Sequence, residues 1–413
     1  MSAITKPSTV SFPHSTLNLN NARERNQILQ FMQASSEIKR VMQSVKKLSL
    51  TALSAIAGFG PRSIIQLQKT LKKHAINWNQ FWASKARLYA ELNLPEILIE
   101  GIKNFKKEYT IYSYTEMLQL REIRPIDVGE AEYPPLLAQS ELPPPILFAK
   151  GSNFDWQAPA VVAVVGTRNM TTYGRLVTEK LVSELTNLGV IIVSGFMYGV
   201  DLTAHQACVK LDGKTVGVLG YGFDYCYPNY LKPTLAELQA KGMLFLSPFA
   251  PHLAPKKGLF PARNRVVAAM ADAVLVTEAG QKSGSHITAG FAADEGRLVC
   301  AVPGPITNPY SEGTKALLNQ GACLVSSGME VLAELGACFT QTHSQQQQSS
   351  QLSLGVFPAK IFEVLRAGPA TVEELARQLV VEYRAVQPEL TKLELSGKVT
   401  KEANRWQLTG FVR

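Results

Sequence analysis

The stretch Val161 to Leu181, VVAVVGTRNMTTYGRLVTEKL, decides the fold. An apolar run ends at Gly166, a polar turn follows, and an amphipathic segment begins near Gly174, the strand, turn and helix order of a first Rossmann unit. The glycine spacing departs from a dinucleotide fingerprint. A pyrophosphate loop needs its second glycine two positions after the first, so that backbone can approach the phosphate, and Arg168 stands there instead.

Outward from this unit, from Ala160 to about Leu335, short apolar runs alternate with helical segments. The runs are VVAVVG, VIIVSG, TVGVLG, MLFLSPF, AVLVTEAG, LVCAVPG and ACLVSS, separated by stretches such as RLVTEKLVSELTNLG and ITAGFAADEG. Continuous Val/Ile/Leu runs spaced by helices mean strands buried on both faces of a parallel sheet, so the expected class is doubly wound α/β, Rossmann-like. Ligands of such sheets sit at the carboxyl ends of the strands. There the chain carries GTRNMTTYG, SGFMYGVDLTAH, GYGFDYCYP, FPARNR and EAGQKSGSHITAG, rich in the groups that bind oxyanions. No acidic residue closes the second strand, where a nicotinamide-binding fold places its ribose ligand.

Asp201, His205 and Glu278 lie near these ends and could form an acid/base set. The competing expectation is that Asp201 caps a helix beginning at Leu202 and His205 faces the sheet. The chain lacks a G-x-S-x-G elbow, a Walker A loop and metal-ligand spacing, which weighs against hydrolysis.

The 413 residues are 46% hydrophobic, enough for two or three domains, and the formal net charge of +9 suits an acidic polymer as partner. Five scattered cysteines without C-x-x-C spacing point to a reducing, cytoplasmic setting and no structural zinc. No apolar run approaches the roughly 20 residues of a membrane span.

The flanks give the expected domains. Residues 1–22 read as a flexible tail, and 23–128 as a helical domain containing LTALSAIAGFGPRSIIQLQKTL. Gly58, Gly60 and Pro61 there fit a helix-hairpin-helix whose amides, with Arg62, could hold a nucleic-acid phosphate; they fit equally a tight turn between packed helices, the commoner device. Residues 129–335 form the expected Rossmann-like domain, entered through GEAEYPPLLAQSELPPPILFAKGS, which should be extended along a domain surface. These connections suggest a central domain that folds by itself. Residues 336–354 read as a glutamine-rich linker and 355–413 as a winged helix, with a Thr371/Glu374 capping box and a hairpin turning at Ala403 and Asn404. Its third helix mixes Arg384 and Lys392 with Glu389 and Glu394 and contains Pro388, so it is expected to contact protein or bind duplex weakly.

Taken in order, GTRNMTTYG, SGFMYGVDLTAH, GKTVGVLGYGFDYCYP, FPARNRVVAAMADAVLVTEA, KSGSHITAGFAADEGRLVCAVPG and EGTKALLNQGA resemble the DNA-processing protein A family, also called Smf. EYPPLLAQSELPPPILFAKG is similar to that family's lead-in. The resemblance implies an extended Rossmann domain that binds and protects single-stranded DNA and loads the RecA recombinase onto it in natural transformation and homologous recombination. It further implies a homodimer joined through this domain, and neither cofactor, metal, membrane contact nor enzymatic activity. A Rossmann-type nucleotide or nucleoside-monophosphate hydrolase of the lysine-decarboxylase-like group is the alternative, but its P-G-G-x-G-T motif is missing.

A single strand needs a basic groove that tracks its backbone, not a cradle for one pyrophosphate. The expected DNA-binding set is Gly166, Thr167 and Arg168 after the first strand, Ser194, Gly195 and Tyr198 after the second, Lys256 and Lys257 in a loop, Arg263, Asn264 and Arg265 in FPARNR, and Lys282, Ser283 and Gly284 in KSGS. Arg168 matches the family's G-S-R arginine, with Thr167 in place of Ser, and Lys282 stands where the family more often has Arg. Tyr198 occupies a position that is basic in many relatives, exchanging charge for stacking area worth roughly 1 to 3 kcal/mol. Phe196, beside it, is expected to pack under the sheet edge.

Overall fold

Apolar positions at helical spacing carry the first part of the computed structural model, which describes residues 44–336 and 356–408 apart from 380, 382, 396, 397, 403 and 404. The 1–22 tail, residues 23–43 of the helical region and 337–354 of the linker lie outside the described residues. The helices are α1 (residues 44–54), α2 (Pro61–Lys73), α3 (Trp78–Ala83), α4 (Ala86–Glu91), α5 (Glu96–Glu108) and α6 (Ile111–Leu120). Ile64, Leu67 and Leu71 on α2 and Ile111, Tyr114 and Leu118 on α6 give the i, i+3, i+7 buried faces. Pro61 opens α2 behind Gly60, and Asn77 with Gln80 forms a capping box on α3.

The sheet begins earlier than the 128/129 boundary expected from the sequence. β1 (Arg124–Asp127) pairs antiparallel with β2 (Ile146–Lys150) across α7 (Pro135–Ala138), and β2 pairs antiparallel with β6 (Leu244–Ser247). The proline-rich entry is not extended throughout as expected, since turns and α7 occupy its middle; its end is strand, and interior rather than superficial, because ILFA is apolar on both faces and buried. Leu147 and Ala149 join the main sheet core; Ile146 and Phe148 join the core of the helices. The helical segment therefore shares a core with the sheet.

The seven apolar runs form β3 (Val161–Val165), β4 (Ile191–Ser194), β5 (Thr215–Val218), β6, β7 (Ala273–Val276), β8 (Leu298–Ala301) and β9 (Cys323–Leu324). Between them lie α8 (Thr172–Asn187), α9 (Val200–Val209), α10 (Lys232–Ala240), α11 (Leu259–Ala269), α12 (Ser285–Asp294) and α13 (Glu312–Asn319), with α14 (Gly328–Glu334) after β9. The nine strands run β1-β2-β6-β5-β4-β3-β7-β8-β9, parallel from β6 to β9. Sequence order reverses between β3 and β7, so the crevice at this switch point is where a doubly wound sheet binds its ligand.

The second compact unit, Phe339–Arg413, contains α15 (Val356–Ala367), α16 (Val372–Leu379), α17 (Tyr383–Leu395) and the antiparallel pair β10 (Val399–Glu402) and β11 (Arg405–Leu408). This is the winged-helix order. Thr371 and Glu374 exchange the two bonds of the capping box, at 2.9 and 3.2 Å, and Pro388 lies inside α17. The hairpin turn at 403–404 lies outside the described residues.

Candidate nucleic-acid interface

A cavity of about 540 Å³ opens at the switch point, walled by the loops after β3, β4 and β7 and by the middle of α11. Of the residues singled out in the sequence, it gathers Gly166, Thr167, Arg168, Gly195, Arg263, Asn264, Lys282, Ser283 and Gly284. The glycines there let backbones meet. A Cβ on Gly166 would stand 2.6 Å from the Glu278 carbonyl oxygen, and one on Gly199, at φ +89°, 2.4 Å from that of Thr167. The Thr167 N–H donates to the Glu278 carbonyl at 2.7 Å and its own carbonyl accepts from Val200 at 3.2 Å. With its backbone so occupied, the loop offers side chains to a ligand. Arg168 is exposed, and its guanidinium lies 5.8 Å from the centre of the Tyr198 ring.

Glu278 holds this loop in place. It is buried, accepts the Thr171 N–H and hydroxyl at 2.8 and 2.6 Å, and accepts from the Asn308 amide at 3.0 Å. A Cβ on Gly174 would collide with its carboxylate, so that glycine serves the same contact.

Arg263 lines the cavity but is only 3% exposed. Its Nη1 donates to the carbonyls of Gly195 and Val218, and its Nε donates to the Asn264 Oδ1 at 3.0 Å, leaving the Asn264 amide group as a donor for the cavity. Burial pushes the Asp201 carboxyl above the ordinary carboxylate range, opposed chiefly by the Arg263 charge and then by the bond from the Met197 N–H. The Asp201 capping expectation is thereby corrected: α9 starts at Val200 behind Gly199, and Asp201 makes no cap. Its carboxylate is drawn to Arg263 instead.

His205 does face the interior. Thr215 gives its hydroxyl proton to the Ile192 carbonyl at 2.9 Å, so toward the His205 Nδ1, 2.7 Å away, it accepts; the ring is the Nδ1–H tautomer. Burial and the Arg263 charge push its pKa down to about 3, and Nε2 has no hydrogen-bond partner among the described residues. Phe196, at φ +53°, is fully buried and packs edge-on against Phe245, as expected.

Five of the expected residues stay outside the cavity lining. Ser194 is buried and ties β4 to the Val164 carbonyl at 2.6 Å, because a hydroxyl at a central strand end must find a backbone partner. Arg265 turns to Glu141 and Glu295, each at 3.3 Å, two residues on from Arg263 and on another side of the helix. Lys256 and Lys257 are exposed in the loop before α11. Tyr198 adjoins the site through Arg168, and its ring lies tilted against Tyr230, 6.4 Å between ring centres. The sequence reading missed Asn169, Met197, Ser285, Thr288 and Tyr310, which also line the cavity. Ser285 and Thr288, in the first turn of α12, were legible as hydroxyls at a helix start; Tyr310 comes from a distant loop and gave no signal.

The profile of the DNA recombination-mediator protein A family matches residues 124–336, and that of the DprA winged-helix domain matches 350–404. The chain belongs to the DprA family. It is 38% identical to the DNA processing protein DprA of Bacillus subtilis over 213 residues, covering 52% of this chain and 71% of that protein. The structure of DNA processing protein A from Streptococcus pneumoniae aligns with a TM-score of 0.57 at 30% identity, over 70% of this chain and 96% of that one. A Helicobacter pylori DNA processing protein A structure, solved for its single-stranded DNA binding mode, aligns at TM-score 0.47 and 30% identity over 52% of this chain and 95% of that one. Membership of the DprA family agrees with the β3 loop, where an arginine replaces a dinucleotide glycine. No helix among the described residues is long and apolar enough to cross a membrane.

Proposed function

We propose that this chain binds single-stranded DNA across the carboxyl ends of β3, β4 and β7, protects it, and loads a RecA-type recombinase onto it, as a cytoplasmic homodimer without catalytic activity. The observation that carries the reading is the switch-point cavity, whose exposed cations, Arg168 and Lys282, stand among hydroxyls and amides. Such a surface grips phosphates one at a time and tolerates any base sequence. Arg263 supports it from beneath, as the buried cation that holds Gly195 and Asp201, and Tyr198 extends it with an aromatic face beside Arg168.

The hydrolase alternative needs a free acid and base at the same place. Glu278 is saturated by Thr171 and Asn308, His205 is sealed against Thr215, and Asp201 is drawn to Arg263. All three are used inside the fold, which favours binding over turnover. Titration of one oligonucleotide in single-stranded and duplex form, beside mononucleotides, tests the reading. It requires the single strand to bind most tightly and to be recovered intact; tighter mononucleotide binding with release of phosphate or base would replace it with the hydrolase.

A further inference from the structure

The helical segment carries a charged surface that the strand-end site does not use. On α2, Arg62, Gln66, Lys69 and Lys73 follow one another at i, i+4, i+7 and i+11, a single stripe on the side opposite the buried Ile64, Leu67 and Leu71. α2 contains no carboxylate, and none of its cations has an ion pair among the described residues. Other helices of this chain balance theirs: Arg87 pairs with Glu91 on α4 at 3.0 Å, and Lys241 with Glu237 on α10 at 2.8 Å. The last turn of a helix welcomes Lys72 and Lys73, but the first turn disfavours a cation, so the helix's own electrostatics leave Arg62 unexplained. The stripe also has a shape. It forms one wall of a groove of about 600 Å³ whose far wall is the α4–α5 turn at Asn93 to Pro95 and whose floor includes Leu67 and Leu98; among the described residues no acidic side chain lines it.

We propose that this groove is a second polynucleotide site, in which Arg62, Lys69 and Lys73 hold successive backbone phosphates of a DNA strand while Gln66 and Asn93 supply neutral hydrogen bonds. The three cations span about 16 Å of helix axis, the reach of a few phosphates and not of one small anion. The ligand is held by its backbone, since the floor is aliphatic and offers nothing that reads a base edge. Resting on the reading of the strand-end cavity as the primary site, the groove adds a second contact to the same strand, so its effect grows with strand length.

The test compares the full chain with the variant Arg62→Ala/Lys69→Ala/Lys73→Ala, using a hexanucleotide and a single strand several times longer, at several salt concentrations. The proposal expects unchanged hexanucleotide affinity, long-strand affinity lower by on the order of tenfold, and a salt slope for the long strand smaller by about 2, at ~0.7 per lost phosphate contact. The charge-retaining variant Arg62→Lys/Lys69→Arg/Lys73→Arg should keep wild-type length dependence, which separates lost charge from a damaged helix. Equal weakening for both lengths, or no change for either, would overturn the proposal. So would loss of binding to phosphatidylglycerol vesicles with long-strand affinity intact, which would make the groove a membrane contact. Arg168→Ala, which should weaken the hexanucleotide, reports separately on the strand-end site.

Discussion

Both oxygens of the Glu278 carboxylate are committed to Thr171, one accepting its N–H at 2.8 Å and the other its hydroxyl at 2.6 Å. Thr171 in turn caps α8, its hydroxyl oxygen accepting the Gly174 N–H at 3.2 Å, so the turn carrying Arg168 is clamped at its far end to the loop after β7. Glu278→Gln would put an amide N–H2 where an acceptor is needed. It should cost about 1 to 3 kcal/mol in denaturant unfolding and weaken single-strand binding without touching DNA. Full affinity in a destabilised protein would show that the clamp serves the fold alone.

Arg263 and Arg265, two residues apart, should behave oppositely. Arg263→Ala leaves Asp201 without its counter-charge and the Gly195 and Val218 carbonyls without their donor, so it should cost about 3 to 5 kcal/mol of stability. Arg265→Ala removes contacts with Glu141 and Glu295 on another side of α11 and should leave single-strand affinity within twofold. Oligonucleotide titration and chemical denaturation of both variants decide between these roles.

His205 gives a pH dependence of known sign. Its folded pKa, about 3, is below the ordinary value of about 6.5, so the unfolded chain binds the extra proton first. The stability that neutral His205 confers is complete above pH 6.5 and is lost as pH falls from there toward 3. By pH 5 this should remove about 2 kcal/mol. Asp201, whose pKa is raised, works in the opposite sense, so the His205 part is read as the difference in slope between wild type and His205→Leu. Equal slopes between pH 7 and 5 would contradict the buried neutral ring.

The seven parallel strands and their switch point were legible because the central strands are buried on both faces and each strand lies in a continuous apolar run. β1 escaped notice because RPID is four residues with a proline and two charged residues at an edge, and β2 because three prolines precede it. In the site, glycines, hydroxyls and Arg168 could be placed from chain order alone. What the sequence could not separate was Arg263 from Arg265: both sit in FPARNR, and only the packing of α11 turns one inward beneath Gly195 and the other toward Glu295. Tyr310 depended wholly on long-range packing.

The shared core makes a prediction about truncation. A fragment starting at Gly129 loses β1 and bares Ile146 and Phe148, so it should aggregate or unfold at lower denaturant than one spanning residues 44–336. Sedimentation and unfolding of the two fragments would check this, and equal stability would mean that the helices add nothing to the sheet.

The central claim is that Arg168 grips a phosphate of a single strand at the switch point, and the salt dependence of binding measures it most directly. Wild type and Arg168→Ala would be titrated with one hexanucleotide across a range of salt concentrations, plotting log affinity against log salt. The claim predicts weaker binding by the variant to every sequence and a slope shallower by about 0.7, one phosphate contact on a single strand. Unchanged affinity with an unchanged slope would contradict it and leave Arg168 a surface charge beside Tyr198.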